Sequence, residues 1–313
     1  MKDASRSESF FHRLDTGLRC HVCGGSQLRK KFSLPLLRDP HPYDKEVKSR
    51  AIYRCDSCGH LFAGAFDRLG FAHYYESLPA GCHGSIHDTD RFRYRQVLGV
   101  IAKRDVGRVL DIGCGTGTFL TMLPSGVERF GIEPTVAAAN IARDRGIAIL
   151  QPEDLDRPEL RNTFDVVTSM DVLEHATDLQ EFRRQLVTAL RPGGMAILLT
   201  GDAESKSAQR LGRYWYYMHG PEHITFFSSR SMRTWLERDF QGIEVTETSH
   251  NRLRREWFFV LRLWLLFPLK WVLSKLFAQR WNRHVALYLP GDHILVRAIR
   301  NGPPTQGPAV AAD

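Results

Sequence analysis

Four cysteines stand in two closely spaced pairs near the start of the chain. Cys20 and Cys23 form the first Cys-x-x-Cys pair, Cys55 and Cys58 form the second, and a glycine follows each pair. Two thiolates at this spacing can bind one metal ion, and four thiolates close a tetrahedral structural zinc site. We therefore predict that these cysteines bind one structural zinc ion in a zinc-ribbon-like module of residues 18–64.

Other chemistry for the cysteine pairs is less well supported. A redox pair would stand at the start of a helix that follows a strand, and neither pair has that sequence setting. The N-terminal segment has no apolar core of the signal-peptide type, so metal binding is favoured over disulfides. His60 could replace one cysteine as a ligand, although four cysteines leave it unnecessary. Cys82 and Cys114 stand alone.

A glycine-rich turn follows an apolar stretch that is typical of a strand. The strand carries Asp111, and the turn has glycines at every second position, Gly113, Gly115 and Gly117. Glycine allows positive φ and lets a ligand approach the backbone closely. The dinucleotide fingerprint would require a further glycine where Thr118 stands, and a phosphate-binding P-loop sequence is absent. The acidic residue would repel a phosphate and suits a cationic ligand with an amino group.

The turn resembles motif I of class I S-adenosylmethionine methyltransferases, and the order of the elements that follow is similar across about residues 90–250. The resemblance implies that the three glycines approach the cofactor and that Asp111 contacts its amino end. It also implies that Glu133 holds the ribose hydroxyls. Asp154 would meet the adenine amine, with Glu153 as the alternative.

The segment after the fourth strand of the methyltransferase sheet gives further candidates. The resemblance places Met170 beside the methyl-donor cleft. Within the class, the catalytic domain is similar to ubiquinone-biosynthesis O-methyltransferases, where a stretch matching Asp171, Glu174 and His175 can hold a divalent metal. His175 is also a candidate catalytic residue, or it has a structural role close to the cofactor.

His223 is the second candidate for acid–base chemistry. Methyl transfer from an activated donor depends largely on positioning, and a general base helps where the acceptor is a hydroxyl. His223 follows the fifth strand and precedes a helix, so it should lie on the substrate side of the cleft, unless it only holds its loop in place. Nearby aromatic residues could form a wall against a ring substrate or belong to the core: Tyr74, Tyr75, Trp215, Tyr216 and Tyr217.

The elements that must position these residues alternate between strands and helices from Gly107 onward. This alternation predicts an α/β fold with a parallel sheet covered by helices on both faces. The resemblance specifies a Rossmann-like seven-stranded class I methyltransferase sheet. We predict a mobile N-terminus at residues 1–17, a methyltransferase domain at residues 65–300 and a disordered tail at residues 301–313.

A hydrophobic insertion is expected at residues 251–291, before the last strand. Residues 257–279 are rich in Leu, Phe and Trp, and their only charged residues are Arg262, Lys270 and Lys275. A spanning helix needs about 20 nearly uncharged residues. Short helices that lie on an anionic membrane surface fit this composition better. A hydrophobic lid or a dimer contact is the alternative.

The composition of the chain is compatible with several classes of binding partner. The chain has 313 residues and a formal net charge of +8, which permits anionic partners without requiring them. We predict a cytoplasmic methyltransferase, or one peripheral to the inner face of the membrane, that methylates a small-molecule, sugar or glycan, or lipid-linked acceptor on oxygen. An RNA methyltransferase is the first alternative, although no basic, aromatic strip lies near the cysteine pairs. The second alternative is a non-catalytic zinc-ribbon interaction protein.

Overall fold

The computed structural model describes residues 18–35, 49–64, 88–219, 223–248 and 292–302. Within these residues, no helix combines the length and apolar character that crossing a membrane would require. Several predictions fall on residues outside the described ranges: the mobile N-terminus at 1–17, the insertion at 251–291, most of the tail at 301–313, and the aromatic residues Tyr74 and Tyr75.

Eleven strands lie within the described residues. Their short apolar segments match the pattern of the sequence, with β-branched and aromatic residues concentrated on the buried positions. They are β1 (Leu28–Pro35), β2 (Ser49–Cys55), β3 (Leu61–Ala63), β4 (Arg108–Ile112), β5 (Glu128–Ile132), β6 (Ala148–Leu150), β7 (Phe164–Met170), β8 (Leu190–Gly201), β9 (Thr225–Phe226), β10 (Phe240–Thr248) and β11 (His293–Arg300).

Seven of these strands form one sheet in the order β10-β11-β8-β7-β4-β5-β6. Strands β4 to β8 are parallel, and β11 runs antiparallel between β8 and β10. The chain order reverses between β4 and β7, which is where open α/β sheets bind ligands. The predicted Rossmann-like seven-stranded fold is confirmed.

Six α-helices lie within the described residues. Asp178 caps the helix that starts at Leu179 by accepting hydrogen bonds from the backbone N–H groups of Gln180 and Glu181. Ser228 and Ser231 form a reciprocal capping box at the start of the last helix. The helices are α1 (Asp88–Ile101), α2 (Thr118–Thr121), α3 (Val136–Asp144), α4 (Leu179–Ala189), α5 (Lys206–Leu211) and α6 (Ser229–Leu236).

A second, smaller sheet has the order β1-β2-β3-β9 and is antiparallel throughout. Its first three strands come from the cysteine-containing segment. Its fourth strand, β9, follows β8 and α5 in the chain and pairs with β3 through Leu61 opposite Phe226 and Phe62 opposite Thr225. The small sheet therefore joins the N-terminal segment directly to the segment that carries His223.

The hydrophobic core crosses the same junction. Cys20, Cys58 and Phe62 belong to one buried cluster with Phe227 and Trp235, and the two last-named side chains are both fully buried. Burying a large apolar side chain stabilises a fold by about 1.5–3 kcal/mol. The cysteine-containing segment therefore packs as part of the main core.

Candidate cofactor and acceptor site

The glycine turn after β4 is held in a conformation that requires glycine. Gly113 and Gly117 have φ values of 79° and 76°. A Cβ atom at Gly113 would lie 2.3 Å from Val172, and one at Gly117 would lie 2.0 Å from Ile147. A Cβ atom at Gly115 would have no described atom within 4 Å, so the turn is open on that side. The middle of the turn can therefore receive a ligand against its backbone.

Glu133 fixes this turn from the end of β5. One carboxylate oxygen accepts a hydrogen bond from the backbone N–H of Gly115 at 2.8 Å, and the other accepts from the N–H of Thr135 at 2.8 Å. Charge-assisted bonds of this kind are stronger than neutral ones. Glu133, the residue predicted to hold the ribose hydroxyls, therefore lies beside the open part of the glycine turn and also stabilises the conformation of that turn.

Asp111 lies beneath the turn and is 2% exposed. Thr168 on β7 donates a hydrogen bond to its carboxylate at 2.6 Å. Burial, aided by the negative charge of Glu133, raises the pKa of Asp111 to about 7. Thr168 was not among the predicted site residues. A bound ammonium group would favour the ionised form of Asp111 and lower this pKa.

The pH dependence of cofactor binding tests this role of Asp111. Since the pKa is raised to about 7, a cationic amino group can bind fully only after Asp111 loses its proton. We expect affinity for S-adenosylhomocysteine to fall by up to about tenfold per pH unit below neutrality. Calorimetry across pH 5.5–8 (roughly the range around that pKa) measures this slope.

Two variants test whether the pH dependence of cofactor binding arises from Asp111. Asp111→Asn should bind more weakly at the alkaline end and lose the slope. Thr168→Val removes the hydrogen bond that favours the charged carboxylate, so it should move the midpoint to higher pH. An unchanged slope in Asp111→Asn would assign the titration to another group.

Asp154 has local partners in its own turn. It lies in the short 3₁₀ helix Pro152–Asp156, after β6. One carboxylate oxygen accepts a hydrogen bond from the backbone N–H of Gln151 at 2.8 Å, and the other pairs with Arg157 at 2.7 Å. Glu153 is exposed. The role of Asp154 toward adenine stays a prediction, and its described contacts order the loop beside the end of the sheet.

A buried polar network lies past the ends of β7 and β8. Glu174 is 1% exposed, and its carboxylate accepts a hydrogen bond from the hydroxyl of Thr200 at 2.9 Å. The Thr200 hydroxyl is also 3.2 Å from the Tyr217 hydroxyl, which accepts from the N–H of Gly201 at 2.8 Å. Burial raises the pKa of Glu174 and that of Tyr217.

His223 is anchored to this network at the start of the acceptor loop, which we define as residues 223–228. Its Nδ1 atom lies 2.5 Å from the carbonyl oxygen of Tyr217. A carbonyl can only accept, so the neutral imidazole carries its proton on Nδ1 and its basic lone pair on Nε2. The ring centroid lies 4.7 Å from that of His175. The structure therefore brings together the two predicted catalytic histidines.

Three other predicted positions have a defined environment. Met170 is the last residue of β7 and is half-buried. Trp215 and Tyr217 are 0% and 3% exposed, and they belong to a cluster with Leu34 and Phe226. Of the two interpretations of these aromatic residues, core packing is the one observed for Trp215 and Tyr217.

The structure groups different side chains from the three metal ligands that the resemblance suggested. The groups of Glu174, His175 and His223 that could bind a metal all lie within 4.8 Å of one another. Asp171 instead forms an ion pair with Arg93, and its other carboxylate oxygen lies 3.5 Å from His293. The expected trio of Asp171, Glu174 and His175 is therefore replaced, among the described residues, by one in which His223 takes the place of Asp171.

Asp171 belongs to a buried charged group that the sequence did not reveal. Its φ is 54°, and it lies between Arg93 on α1 and His293 at the start of β11. Burial disfavours the charged form of His293, but hydrogen bonds to Asp171 and Asp292 outweigh this and raise its pKa to about 9. This group joins three distant segments at the carboxyl end of β7.

The four predicted zinc ligands converge. The sulfur atoms of Cys20 and Cys58 lie 3.5 Å apart, those of Cys23 and Cys55 lie 3.6 Å apart, and all four lie within 4.8 Å of one another. Zinc–sulfur bonds of about 2.3 Å in a tetrahedron would place the sulfurs about 3.8 Å apart. The cluster therefore fits a small zinc-binding module.

His60 does not take part in that cluster. Its Nε2 atom lies 2.7 Å from the hydroxyl of Thr225, and its ring is fully buried. Burial, with the nearby charge of His21, lowers the pKa of His60 to about 3, so its ring is neutral. The alternative in which His60 serves as a metal ligand is not observed.

The seven-stranded sheet, with its glycine turn after β4, has the Rossmann-like class I methyltransferase fold. Residues 87–245, just over half of the chain, match a family model described as a methyltransferase domain. The chain belongs to this methyltransferase domain family.

Relatives of known activity differ in their acceptors. A tRNA U34 carboxymethyltransferase of Methylococcus capsulatus is 33% identical over 157 residues, which cover 45% of this chain and 48% of the relative. A ubiquinone biosynthesis O-methyltransferase of Rhodopseudomonas palustris is 25% identical over 150 residues, which cover 46% of this chain and 56% of the relative. The chain thus spans about half the length of these relatives.

One chain of a solved complex between the Haloferax volcanii Trm112 methyltransferase activator and a methyltransferase has the same fold as this protein. The two sequences are 16% identical and the TM-score is 0.51. The match covers 76% of the present chain and all of the chain in the complex. At this identity the likeness concerns the fold alone.

Proposed function

We propose that the protein transfers a methyl group to an oxygen of a small-molecule, sugar or glycan, or lipid-linked acceptor beside His223. The observation that carries this proposal is the contact between His223 Nδ1 and the Tyr217 carbonyl, which leaves the basic lone pair on Nε2. The similarity to ubiquinone biosynthesis O-methyltransferases supports an oxygen acceptor.

The cofactor would lie across the glycine turn. Glu133 would hold the ribose, Asp154 would meet the adenine, and Asp111 would contact the amino end. Gly113, Gly115 and Gly117 would allow close approach, with Met170 lining the cleft. S-adenosylmethionine, when bound, supplies a methyl group activated by its sulfonium.

His223 would act on the acceptor side. Its Nε2 atom would accept the proton of the acceptor hydroxyl as the oxygen bonds to the methyl carbon, and the carbon–sulfur bond breaks to leave a neutral thioether. His175, whose ring lies next to His223, would help to position that imidazole or share the proton. Glu174, His175 and His223 could instead hold a divalent cation that orients the acceptor oxygen, in which case Nε2 of His223 would bind the cation and would not act as the base.

A membrane-associated acceptor stays part of the proposal through residues 251–291. These residues lie outside the described ranges, and the argument for peripheral docking at the inner face of a membrane rests on their sequence. A cytoplasmic protein that meets a lipid-linked acceptor at the surface would need such a segment. A lid or a dimer contact is the competing role.

Labelling of cell extracts tests the acceptor class. Extracts from cells that lack the protein are incubated with purified protein and cofactor labelled in its methyl group. We expect the label to be extracted by organic solvent or to appear in a small-molecule or glycan fraction, and to survive RNase. Loss of the label after RNase would instead support the RNA alternative, which the tRNA carboxymethyltransferase relative keeps open.

Zinc content is a further expected result. We propose that Cys20, Cys23, Cys55 and Cys58 bind one zinc ion per chain, because their sulfur atoms already lie at nearly tetrahedral separations. Elemental analysis of protein purified without chelator should give a ratio near one. Cys55→Ser should lower it, whereas Cys114→Ser, at the glycine turn, should not. Absence of zinc from the native protein would refute the site.

A further inference from the structure

We propose that the zinc module, residues 18–35 and 49–64, holds the acceptor loop in place and that His60 is the positioning residue that links them. This inference rests on the proposed role of His223 at the start of that loop. The module would then not only stabilise the fold but also position the imidazole of His223, which faces the acceptor in the proposed function.

Backbone hydrogen bonds tie the two segments together next to His223. The N–H of Ala63 donates to the carbonyl of Ile224 at 2.8 Å, and β3 continues this pairing along β9. The N–H of Ile224 donates to the carbonyl of Glu174 at 2.8 Å. The residue after His223 is therefore held between the zinc module and the segment that contains Glu174.

His60 connects the cysteine cluster to the same loop. Its backbone N–H donates a hydrogen bond to the sulfur of Cys58, and its carbonyl accepts from the N–H of Cys55 at 2.9 Å. Its side chain bonds Thr225 at 2.7 Å. One residue thus contacts two predicted zinc ligands through its backbone and the acceptor loop through its ring.

The ring of His60 also packs between aromatic side chains of the zinc module and of the acceptor loop. It stacks on Phe62 with centroids 5.9 Å apart and packs against Phe227 at 4.9 Å. His60 and Phe227 are fully buried, and Thr225 is 1% exposed. A buried polar group without a hydrogen-bond partner destabilises the folded state. Loss of the His60–Thr225 bond should therefore make the acceptor loop open more often to solvent.

Metal binding should therefore act on the acceptor loop. A zinc ion would fix Cys55 and Cys58, and with them the backbone of His60. Removal of zinc should loosen residues 223–228 together with residues 18–64, since binding of a structural metal is coupled to folding of the segment that holds it.

Hydrogen–deuterium exchange on the zinc-loaded, full-length protein tests the link. Thr225→Val keeps the shape of the side chain and removes the hydrogen bond to His60. His60→Phe keeps an aromatic ring, whereas His60→Gln keeps a polar group near the position of Nε2. We expect exchange in residues 223–228 to be about tenfold faster in Thr225→Val and His60→Phe, with partial rescue in His60→Gln, whose amide can either donate to or accept from the Thr225 hydroxyl. Chelation of zinc should have at least the same effect.

The matched control is Gln180→Ala. Gln180 on α4 donates to the carbonyl of His21 at 2.8 Å, so this variant removes a contact of the zinc module that does not involve the acceptor loop. Exchange in residues 223–228 should then match the wild type. Zinc content and affinity for S-adenosylhomocysteine should stay unchanged in Thr225→Val, His60→Gln and Gln180→Ala.

A ¹⁵N spectrum of the histidine rings adds a signature that a general loss of stability would not give. His223 should show the form protonated on Nδ1 in the wild type and a mixture of the two neutral forms in Thr225→Val. Unchanged exchange and an unchanged His223 spectrum, both in the variants and after chelation, would overturn the inference. If these changes occur but no acceptor is methylated, the inference stands and the proposed function fails.

Discussion

Replacement of His223 by alanine should lower turnover by about 10²–10⁴-fold, the usual contribution of a general base. Affinity for S-adenosylmethionine should change little, because the glycine turn and Glu133 follow β4 and β5, whereas His223 precedes β9. Turnover is measured at saturating cofactor with the acceptor found by labelling, and cofactor affinity is measured by calorimetry. A fall in cofactor affinity without a fall in turnover at saturation would contradict the role of His223.

His223→Asn separates proton transfer from support of the loop. The asparagine amide can donate to the Tyr217 carbonyl from near the position of Nδ1, but it cannot accept a proton at neutral pH. If His223 is a base, His223→Asn should be nearly as slow as His223→Ala. If His223 only holds the acceptor loop, His223→Asn should keep most of the activity. His175→Ala should reduce turnover less than either change.

Glu133→Ala should weaken binding of S-adenosylhomocysteine by about 1.5–3 kcal/mol, or about 10–150-fold. The expected loss has two sources. The variant removes the proposed ribose ligand, and it leaves the N–H groups of Gly115 and Thr135 without their acceptor at the turn. Calorimetry gives the dissociation constant directly.

The control for this effect is a glutamate at the start of β5, the strand that Glu133 follows. Glu128 lies at the opposite end of β5, where its exposed side chain pairs with Arg108 at 3.4 Å. Glu128→Ala should leave the dissociation constant unchanged within error. Equal affinities in the wild type and Glu133→Ala would rule out the assignment of the ribose site.

The features that the sequence predicts well are those set by local chemistry. The glycine turn is recognisable because Gly113 and Gly117 adopt positive φ against close neighbours, and few other residues can do so. The cysteine pairs are recognisable because two thiolates on a tight turn suit one metal ion. The alternation of strand and helix patterns after the turn predicts a parallel sheet, and strands β4 to β8 are parallel in the structure.

The features that sequence reasoning missed depend on contacts between distant segments. Strand β9 has two residues, too few for a periodic pattern, and its pairing with β3 is apparent only in the folded protein. His60 and Thr225 are separated by 165 positions. Neither residue has an unusual sequence setting that would have indicated their contact.

The charged group around Asp171 was missed for the same reason. Arg93 precedes Asp171 by 78 positions, and His293 follows the hydrophobic insertion. The resemblance to ubiquinone-biosynthesis O-methyltransferases suggested a metal site at Asp171, Glu174 and His175. The fold instead gives Asp171 two cationic partners and leaves Glu174 and His175 close to His223.

The most direct test of the proposed site is a crystal structure of the protein with S-adenosylhomocysteine bound. We expect the ribose hydroxyls to contact Glu133 and the amino group to lie near Asp111. We also expect the sulfur to face the cleft that contains His223, with zinc among the four cysteine sulfurs. S-adenosylhomocysteine bound away from Gly115 and Glu133, or with its sulfur turned from His223, would contradict the proposed site.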